Sequence, residues 1–498
     1  MSAPRSPSGE SVSLRAAAPS AALIAIIAAT LLLRLIVGGS MHLTEDEAYY
    51  RLWSFSPALG YEDHPPMIAW WIWLGRHLAG DTPLGVRLLP TLASAATGLV
   101  AFDLARLSGA GARLASRAGI LFNAMLLVLA GGFLAVPDAP ACLFWVLTLD
   151  AGLRARRAKA LAWWSAAGLA AGLACLSKYS ALFIAPGMIL WLASDREGRT
   201  ALRTPGPWLA ALIAAAVFAL NIAWNAEHQW LTFAKQFGRV AAHDFQPRYL
   251  VELVAGQILL SNPIVAILAL SAAFKRPRKV GLVLRPFVLM GAPFAAYLVV
   301  HSLHDRVQAH WPVPLYPLVA LFAAAGAEAL KGRAAWLARI AVPTGFVLAA
   351  ALLAMLLAPG RWFGRYDAAL PVRGWGAFSA RLEGVRRSSG AAWIGTSSYG
   401  LAAELAGERA LTAPVIQIAE RERWRDLAAA PKPDMSRPGL IVDLTRRVNP
   451  TALKVCFNSV KPLGTFTRGD PGEVGKPYAV FAVSGPRVDI LAGGCAGA

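Results

Sequence analysis

Followed as a pattern of apolar and polar positions, the chain has two parts. From 18 to 358 apolar runs alternate with short charged connections; from 359 to 498 the runs stop, and Pro, Gly and charged residues are frequent. A helix needs about 20 mostly apolar residues to cross a bilayer. Eleven stretches meet or approach this, near 18–39, 84–105, 117–136, 139–153, 160–176, 180–194, 207–224, 250–271, 284–301, 312–330 and 335–357. The pattern predicts a multi-pass α-helical membrane protein of about 11 transmembrane helices, with 1–17 as a cytoplasmic tail and a first outer loop over 40–83. The first stretch follows Arg5 and Arg15, as a signal peptide would. Arg34 interrupts it, however, no A-x-A-like site follows closely and further spans come after it, so an uncleaved first helix is expected.

Lys and Arg orient such a bundle, because they are retained on the cytoplasmic side. With the N-terminus inside, alternate connections carry Arg106, Arg113 and Arg117, then Arg154 to Lys159, then Arg196, Arg199 and Arg203, then Lys275 to Arg285, and last Lys331, Arg333 and Arg339. The intervening connections are longer and carry few basic residues. This alternation places 359–498 outside, as a small periplasmic α/β domain on a bacterial inner membrane. Strands are expected at Ala391–Gly395, Gly439–Leu444 and Pro477–Val483, and a short helix at Leu401–Ala406 after a turn at Thr396–Gly400. Cys456 and Cys495 lie in this part, where an oxidising compartment allows a disulfide or two free thiols. Cys142 and Cys175 sit in spans and read as packing residues.

Composition narrows the class further. The chain is 56% hydrophobic and 15% charged, whereas soluble domains run at about 45–50% and about 25%. A disordered chain would be poor in apolar residues. Gly without a period and only four Cys exclude collagen and a disulfide scaffold. The net charge of +19 would suit a nucleic-acid binder if it lay on one face of a soluble fold. Most of it lies instead on the connections assigned to the inside, so it is a topology signal and no nucleic-acid partner is expected.

The polar residues with chemical potential gather on the outer side. The first outer loop opens with Thr44-Glu45-Asp46-Glu47-Ala48-Tyr49-Tyr50. Three acids beside a membrane helix are costly to keep near lipid, and the aromatics that follow suit a sugar or other polar ligand. A solvated acidic loop is the plainer alternative. Farther on, Asp63-His64-Pro65-Pro66 has a double Pro that fixes the backbone and would hold Asp63 and His64 at the membrane interface. Trp70, Trp71 and Trp73 read as an aromatic belt. Asp138 lies at a tight hairpin, Pro137-Asp138-Ala139-Pro140, and Lys178 at the next outer tip. His301, His304, Asp305, Arg306 and His310 fill the loop before the tenth span. Their spacing matches no zinc pattern with strength, and Lys178, Arg306 and His310 make better sense as cations for an anionic group.

Together these motifs resemble the polyprenyl-phosphate-sugar-dependent glycosyltransferases of the GT-C fold. More closely, they resemble the bacterial branch of the protein O-mannosyltransferase superfamily, with its lipid A aminoarabinose transferases and lipid A/core galacturonosyltransferases (glycosyltransferase families 39 and 83). The residues that carry the resemblance are Thr44 to Tyr50, Asp63-His64-Pro65-Pro66, Gly85-Val86-Arg87, Pro137-Asp138-Ala139-Pro140, Leu176-Ser177-Lys178-Tyr179 and Val307-Gln308-Ala309-His310-Trp311-Pro312. It covers about 40–330, and the outer part more loosely. The aminoarabinose branch has Lys before the double Pro, where this chain has His64.

The resemblance implies a GT-C catalytic domain over 18–358 and a site in the membrane at the outer face. The donor would be a sugar joined by phosphate to a polyprenyl chain; the acceptor would be an envelope glycolipid such as lipid A or core sugar, a polysaccharide or a protein. Asp46 takes the family's place for the base, with Glu47 assisting. His64, Arg87, Lys178, Arg306 and His310 are candidate cations for the phosphate, Asp138 is a second acid that orients sugar or base, and Tyr49 and Tyr50 are candidate sugar contacts. One base and one departing phosphate imply inversion at the anomeric carbon. No cofactor is implied with certainty, although the acids would accept a divalent metal. A transporter or flippase of lipid-linked sugars is the alternative, but it would bring internal repeats and mid-membrane polar residues. A non-catalytic assembly factor would depend on 360–498 and not on Asp46.

Overall fold

The computed structural model describes residues 18–238, 244–275, 277–357, 369–424, 427, 430–469, 475–493 and 495. The expected tail 1–17 and the boundary at 358/359 lie outside the described residues. In hydrocarbon a backbone must satisfy its own N–H and C=O groups, which a helix does within one segment. The apolar part accordingly consists of helices: α1 (Ala21–Ser40), α2 (Glu45–Trp53), α3 (Met67–Ala79), α4 (Pro83–Leu107), α5 (Ala112–Asn123), α6 (Leu126–Gly131), α7 (Asp138–Ala158), α8 (Leu161–Cys175), α9 (Ile184–Ala193), α10 (Arg196–Ala201), α11 (Pro205–Glu227), α12 (Leu231–Gly238), α13 (Arg248–Leu260), α14 (Pro263–Lys275), α15 (Pro277–Ser302), α16 (Tyr316–Ala329) and α17 (Leu337–Leu357).

Helix covers each of the eleven expected stretches, but not always without a break. Among the described residues five helices are long and apolar enough to cross a membrane: Ala21–Ser40, Pro83–Leu107, Pro205–Glu227, Leu284–Ser302 and Gly332–Leu356. The chain is thus a multi-pass membrane protein. The stretch near 117–136 is split between α5 and α6, and that near 180–194 begins as a 3-10 turn at Tyr179–Phe183. The stretch near 250–271, expected to be one straight span, bends by 105° between α13 and α14. The cause is local. Pro263 disfavours a helical conformation in the residue before it, and Asn262 takes a positive φ of 71°, which Asn tolerates better than most residues. The Asn262 amide then donates to Ala341 O at 2.7 Å and Ala124 O at 3.2 Å, and its Oδ1 accepts from Ile264 N.

The remainder forms α18 (Trp375–Ser388), β1 (Trp393–Thr396), α19 (Tyr399–Gly407), β2 (Val415–Gln417), β3 (Gly439–Leu444), α20 (Pro450–Cys456), β4 (Phe457–Arg468) and β5 (Lys476–Pro486). The sheet order is β2-β1-β3-β5-β4, parallel for β2-β1-β3 and antiparallel for β3-β5-β4. Strand side chains alternate between faces. Ile394, Leu440, Val442 and Val480 enter one core; Trp393, Ile441, Phe457 and Phe481 enter the other. The first core also holds Ala48, Tyr49, Trp53, Ile68 and Ile72 of α2 and α3. The sheet is therefore packed onto α2 and α3 through shared apolar surface.

Cys456, at the end of α20, is bonded to Cys495, with Cα atoms 5.6 Å apart, while Cys142 and Cys175 are free and buried. The bond closes a separation of 39 residues, a length at which loop closure contributes about 3–4 kcal/mol. Alkylation of the denatured, unreduced protein should modify two thiols and alkylation after reduction four; four without reductant would exclude the bond.

Candidate functional site

Helix α2 organises the site. Its N-cap is Thr44, and Thr44 and Glu47 form a capping box: Glu47 N donates to Thr44 Oγ1, and Thr44 N donates to Glu47 Oε2 at 3.0 Å. Residues three and four apart share a helix face. Asp46, Tyr49 and Tyr50 line one cavity, of about 450 Å³, together with Asp63, His64, Asp138, Lys178, Gln236, Arg306, His310 and Tyr399. Glu47, one position on, is turned away from it.

Glu47 meets Arg87 of α4 instead, and both are buried. Arg87 Nε donates to Glu47 Oε1 at 2.8 Å and Nη2 to Oε2 at 2.6 Å. Nη1 donates to Gly38 O and Met41 O, both at 2.7 Å, and Nη2 also to His42 O at 2.9 Å. A guanidinium has five N–H donors, so Arg87 has none left for a phosphate. Glu47 also accepts from Ala135 N at 2.9 Å. Glu47, expected beside the base, and Arg87, expected on the donor, thus meet each other in an ion pair behind the cavity wall. Burial alone would raise the Glu47 pKa, but Arg87 and the backbone donors outweigh it and hold the carboxyl below its ordinary range.

The other candidates surround the cavity. The turn before α3 is tied down by Met67 N donating to Leu176 O at 3.0 Å, which brings His64 and Lys178 to one region. Lys178 Nζ lies 2.7 Å from Asp138 Oδ1, and His310 Nε2 lies 3.5 Å from Asp138 Oδ2. Asp138, the first residue of α7, therefore orients two potential cations. Burial lowers the His310 pKa, Asp138 opposing and Lys178 adding to the effect. Arg306 is 61% exposed and paired with Glu252 at 2.8 Å, at the rim. His64 stands edge-on to Tyr50 with ring centroids 6.0 Å apart. His301 and His310 both line the cavity, but among the described residues no three His, Cys, Asp or Glu groups converge as a metal shell would.

Partners separate the cavity's acids. Asp63 pairs with Arg423 and with Lys235 at 2.7 Å, and accepts from Tyr49 Oη at 3.1 Å. Burial raises its pKa, but these cations outweigh it and keep it ionised. Asp46 has no Lys or Arg within ion-pair distance among the described residues. It accepts one hydrogen bond, to Oδ1 from Tyr399 Oη at 3.0 Å. Burial raises its pKa, against the effects of Tyr399 and His310. A cavity with one carboxylate free of Lys and Arg among the described residues and one half-buried lysine can take a proton from a hydroxyl and hold an anion that departs.

Asp63, Gln236, Tyr399 and Arg423 were not among the residues expected to act. Tyr399 and Arg423 reach the cavity region from more than 350 positions away in sequence. The turn at Thr396–Gly400 was the only local sign of Tyr399.

Residues 63–224 match the dolichyl-phosphate-mannose-protein mannosyltransferase family. The lipid A galacturonosyltransferase RgtD of Rhizobium johnstonii is 29% identical over 278 residues, which are 54% of this chain and 58% of that protein. The match thus spans little more than half of the relative's length. The crystal structure of ArnT from Cupriavidus metallidurans bound to undecaprenyl phosphate superposes with a TM-score of 0.62 at 18% identity, covering 94% of this chain and all of that one. The Archaeoglobus fulgidus oligosaccharyltransferase gives a TM-score of 0.50 at 11% identity, over 79% of this chain and 64% of its own. The chain shares the fold of these proteins, in keeping with the resemblance its motifs carry to the GT-C glycosyltransferases.

Removing one member of a buried ion pair leaves the other charge uncompensated, at a cost of about 3–5 kcal/mol. Glu47→Ala should therefore lower the Tm in detergent by several degrees, and an unchanged Tm would show that the pair does not hold the loop. Because the folded Glu47 pKa is lowered, its contribution is present above the unfolded value of about 4.3 and is lost only as pH falls through the folded value.

Proposed function

We propose that this protein is a membrane glycosyltransferase that moves a monosaccharide from a polyprenyl-phosphate donor to an envelope glycolipid, lipid A or its core sugar, at the periplasmic face of a bacterial inner membrane. The observation that carries the proposal is Asp46: a cavity-lining carboxylate with no Lys or Arg partner among the described residues, in a cavity that also holds Lys178 locked to Asp138. The likeness to RgtD supports lipid A as the acceptor class, and the ArnT complex supports undecaprenyl phosphate as the donor's lipid. The eleven-span topology with 359–498 as an outer α/β domain goes with this proposal, since it puts the cavity on the side where lipid A is modified.

In the proposed reaction the acceptor hydroxyl attacks the anomeric carbon of the donor sugar. The new bond joins acceptor oxygen to that carbon, and the bond from the carbon to the phosphate oxygen breaks. The hydroxyl proton goes to Asp46. The electron pair leaves with the polyprenyl phosphate, whose added negative charge Lys178 meets at the moment it develops. A single displacement inverts the sugar. Tyr49 and Tyr50, expected as sugar contacts, have buried rings and shape the cavity wall, and Asp138 keeps Lys178 in place.

Asp46→Asn should reduce transfer by at least about 100-fold while the Tm stays near that of the native protein. Retained activity would remove Asp46 as the base. Because the base must be ionised and burial raises its pKa, the rate should fall on the acid side at a pH above the ordinary Asp value of about 3.9. Lys178→Ala should cost far more than Arg306→Ala, because Lys178 is half-buried and fixed by Asp138 inside the cavity, whereas Arg306 is exposed at the rim and held by Glu252. Mass spectrometry of envelope lipids from cells with and without the protein should show one sugar mass missing from a lipid A or core species in its absence.

A further inference from the structure

The part of the chain that follows the membrane helices reaches into the cavity at one point. The turn between β1 and α19 is fixed from below by Asp443, buried in β3, whose Oδ2 accepts from Thr396 Oγ1 at 2.9 Å, Ser397 N at 3.1 Å and Ser397 Oγ at 2.5 Å. Ser398 caps α19 by accepting from Leu401 N at 3.4 Å. Gly400 then allows α19 to lie close to α2, since a Cβ there would stand 2.9 Å from Glu45 Cβ. This places Tyr399, the first residue of α19, beside Asp46. The Tyr399 ring packs against Tyr49, with centroids 4.8 Å apart. The Arg423 guanidinium lies 4.5 Å from its centroid and is itself paired with Asp63 and Glu420.

We propose that Tyr399 is the positioning residue for Asp46: its hydroxyl holds Oδ1 and leaves Oδ2 to receive the acceptor's proton, and Arg423 holds Tyr399. This rests on Asp46 acting as the base, and it assigns part of the reaction machinery to the segment outside the membrane. Three features support it. The Tyr399 hydroxyl is the only side-chain donor to Asp46 among the described residues, and Tyr399 lines the cavity. The turn that presents Tyr399 is held by three bonds to one buried carboxylate, more than packing a ring would require. Arg423 links Tyr399 to Asp63, so both acids of the outer loop that line the cavity are engaged from the same side. A hydrogen bond to a carboxylate favours its ionised form, which is the form a base needs.

The test is Tyr399→Phe in the full-length protein. The variant keeps the ring against Tyr49 and Arg423 and removes only the hydroxyl. Membranes containing each variant are fused with membranes from cells lacking the protein, which supply donor and acceptor lipids, and initial transfer is followed by mass spectrometry across pH. Transfer should fall about tenfold to 100-fold near neutral pH, the worth of one hydrogen bond to an ionised group. The acid limb of the profile should move to higher pH, so that part of the loss is recovered in alkali. Arg423→Gln should shift the limb in the same direction by less. As a second readout, an infrared carboxyl band absent in Asp46→Asn should titrate at higher pH in Tyr399→Phe than in the native protein. An unmoved acid limb and an unmoved band overturn the positioning role, even where overall rate has dropped. If Asp46→Asn itself transfers sugar, the assignment of the base fails instead, and the band still reports whether Tyr399 acts on Asp46.

Discussion

A charge held beside lipid must find its partner in place, because water is not there to supply one. The Glu47–Arg87 pair meets that constraint, and the rest of the outer face is built on it. The pair binds four segments at once: the end of α1 through Gly38, Met41 and His42, the start of α2 through Thr44 and Glu47, α4 through Arg87, and the approach to α7 through Ala135. Every donor of the guanidinium and both carboxylate oxygens are used, the condition under which a buried pair repays its desolvation. With Glu47 pinned, helical geometry sends Asp46, Tyr49 and Tyr50 toward the cavity. The position of Asp46 is thus a consequence of the residue next to it, which is held by Arg87 behind the cavity wall.

The same rule sorts the remaining acids. Asp63 and Asp138 are surrounded by cations and stay ionised as fixtures: the first anchors Arg423 and Lys235, the second anchors Lys178. Asp46, half-buried, receives only a hydroxyl among the described residues. Burial without a counter-charge raises a carboxyl's pKa, whereas burial with one lowers it. Three aspartates of one sequence type are in this way given different surroundings by their neighbours: two hold cations and one accepts from a hydroxyl.

Those neighbours explain what was legible in the sequence and what was not. The apolar runs located helices well, because helix and bilayer both demand long apolar segments. The breaks at Asn123 to Met125 and at Asn262 were missed, because a window of apolar residues does not register a single backbone turn, although Asn262-Pro263 is the kind of dipeptide that makes one. Strands β1, β3 and β5 were readable because they are largely buried; β4 was not, because as an edge strand it is mostly exposed. Around the cavity, Asp46, His64, Asp138, Lys178 and His310 were found by charge and position. Arg87 was given a phosphate because sign of charge does not name a partner. The spacing Thr44-x-x-Glu47 did carry the correcting signal, since it marks a capping box and thereby a structural glutamate. Tyr399 and Arg423 had no such signal, for their partners lie in another part of the chain.

That separation has a mechanical consequence. The sheet shares one apolar core with α2 and α3: Tyr49 and Trp53 bury themselves among Leu401, Val442 and Tyr478. Surfaces that share a core cannot move apart without exposing it, so the sheet and the helix that carries Asp46 move as one body. What changes on the outer sheet is then felt at Asp46 through Tyr399, a side chain whose hydroxyl lies 3.0 Å from the carboxylate. The sheet thus bears on the cavity's carboxylate in two ways at once, through a shared apolar core and through one hydroxyl, and neither contact can be lost without disturbing the other.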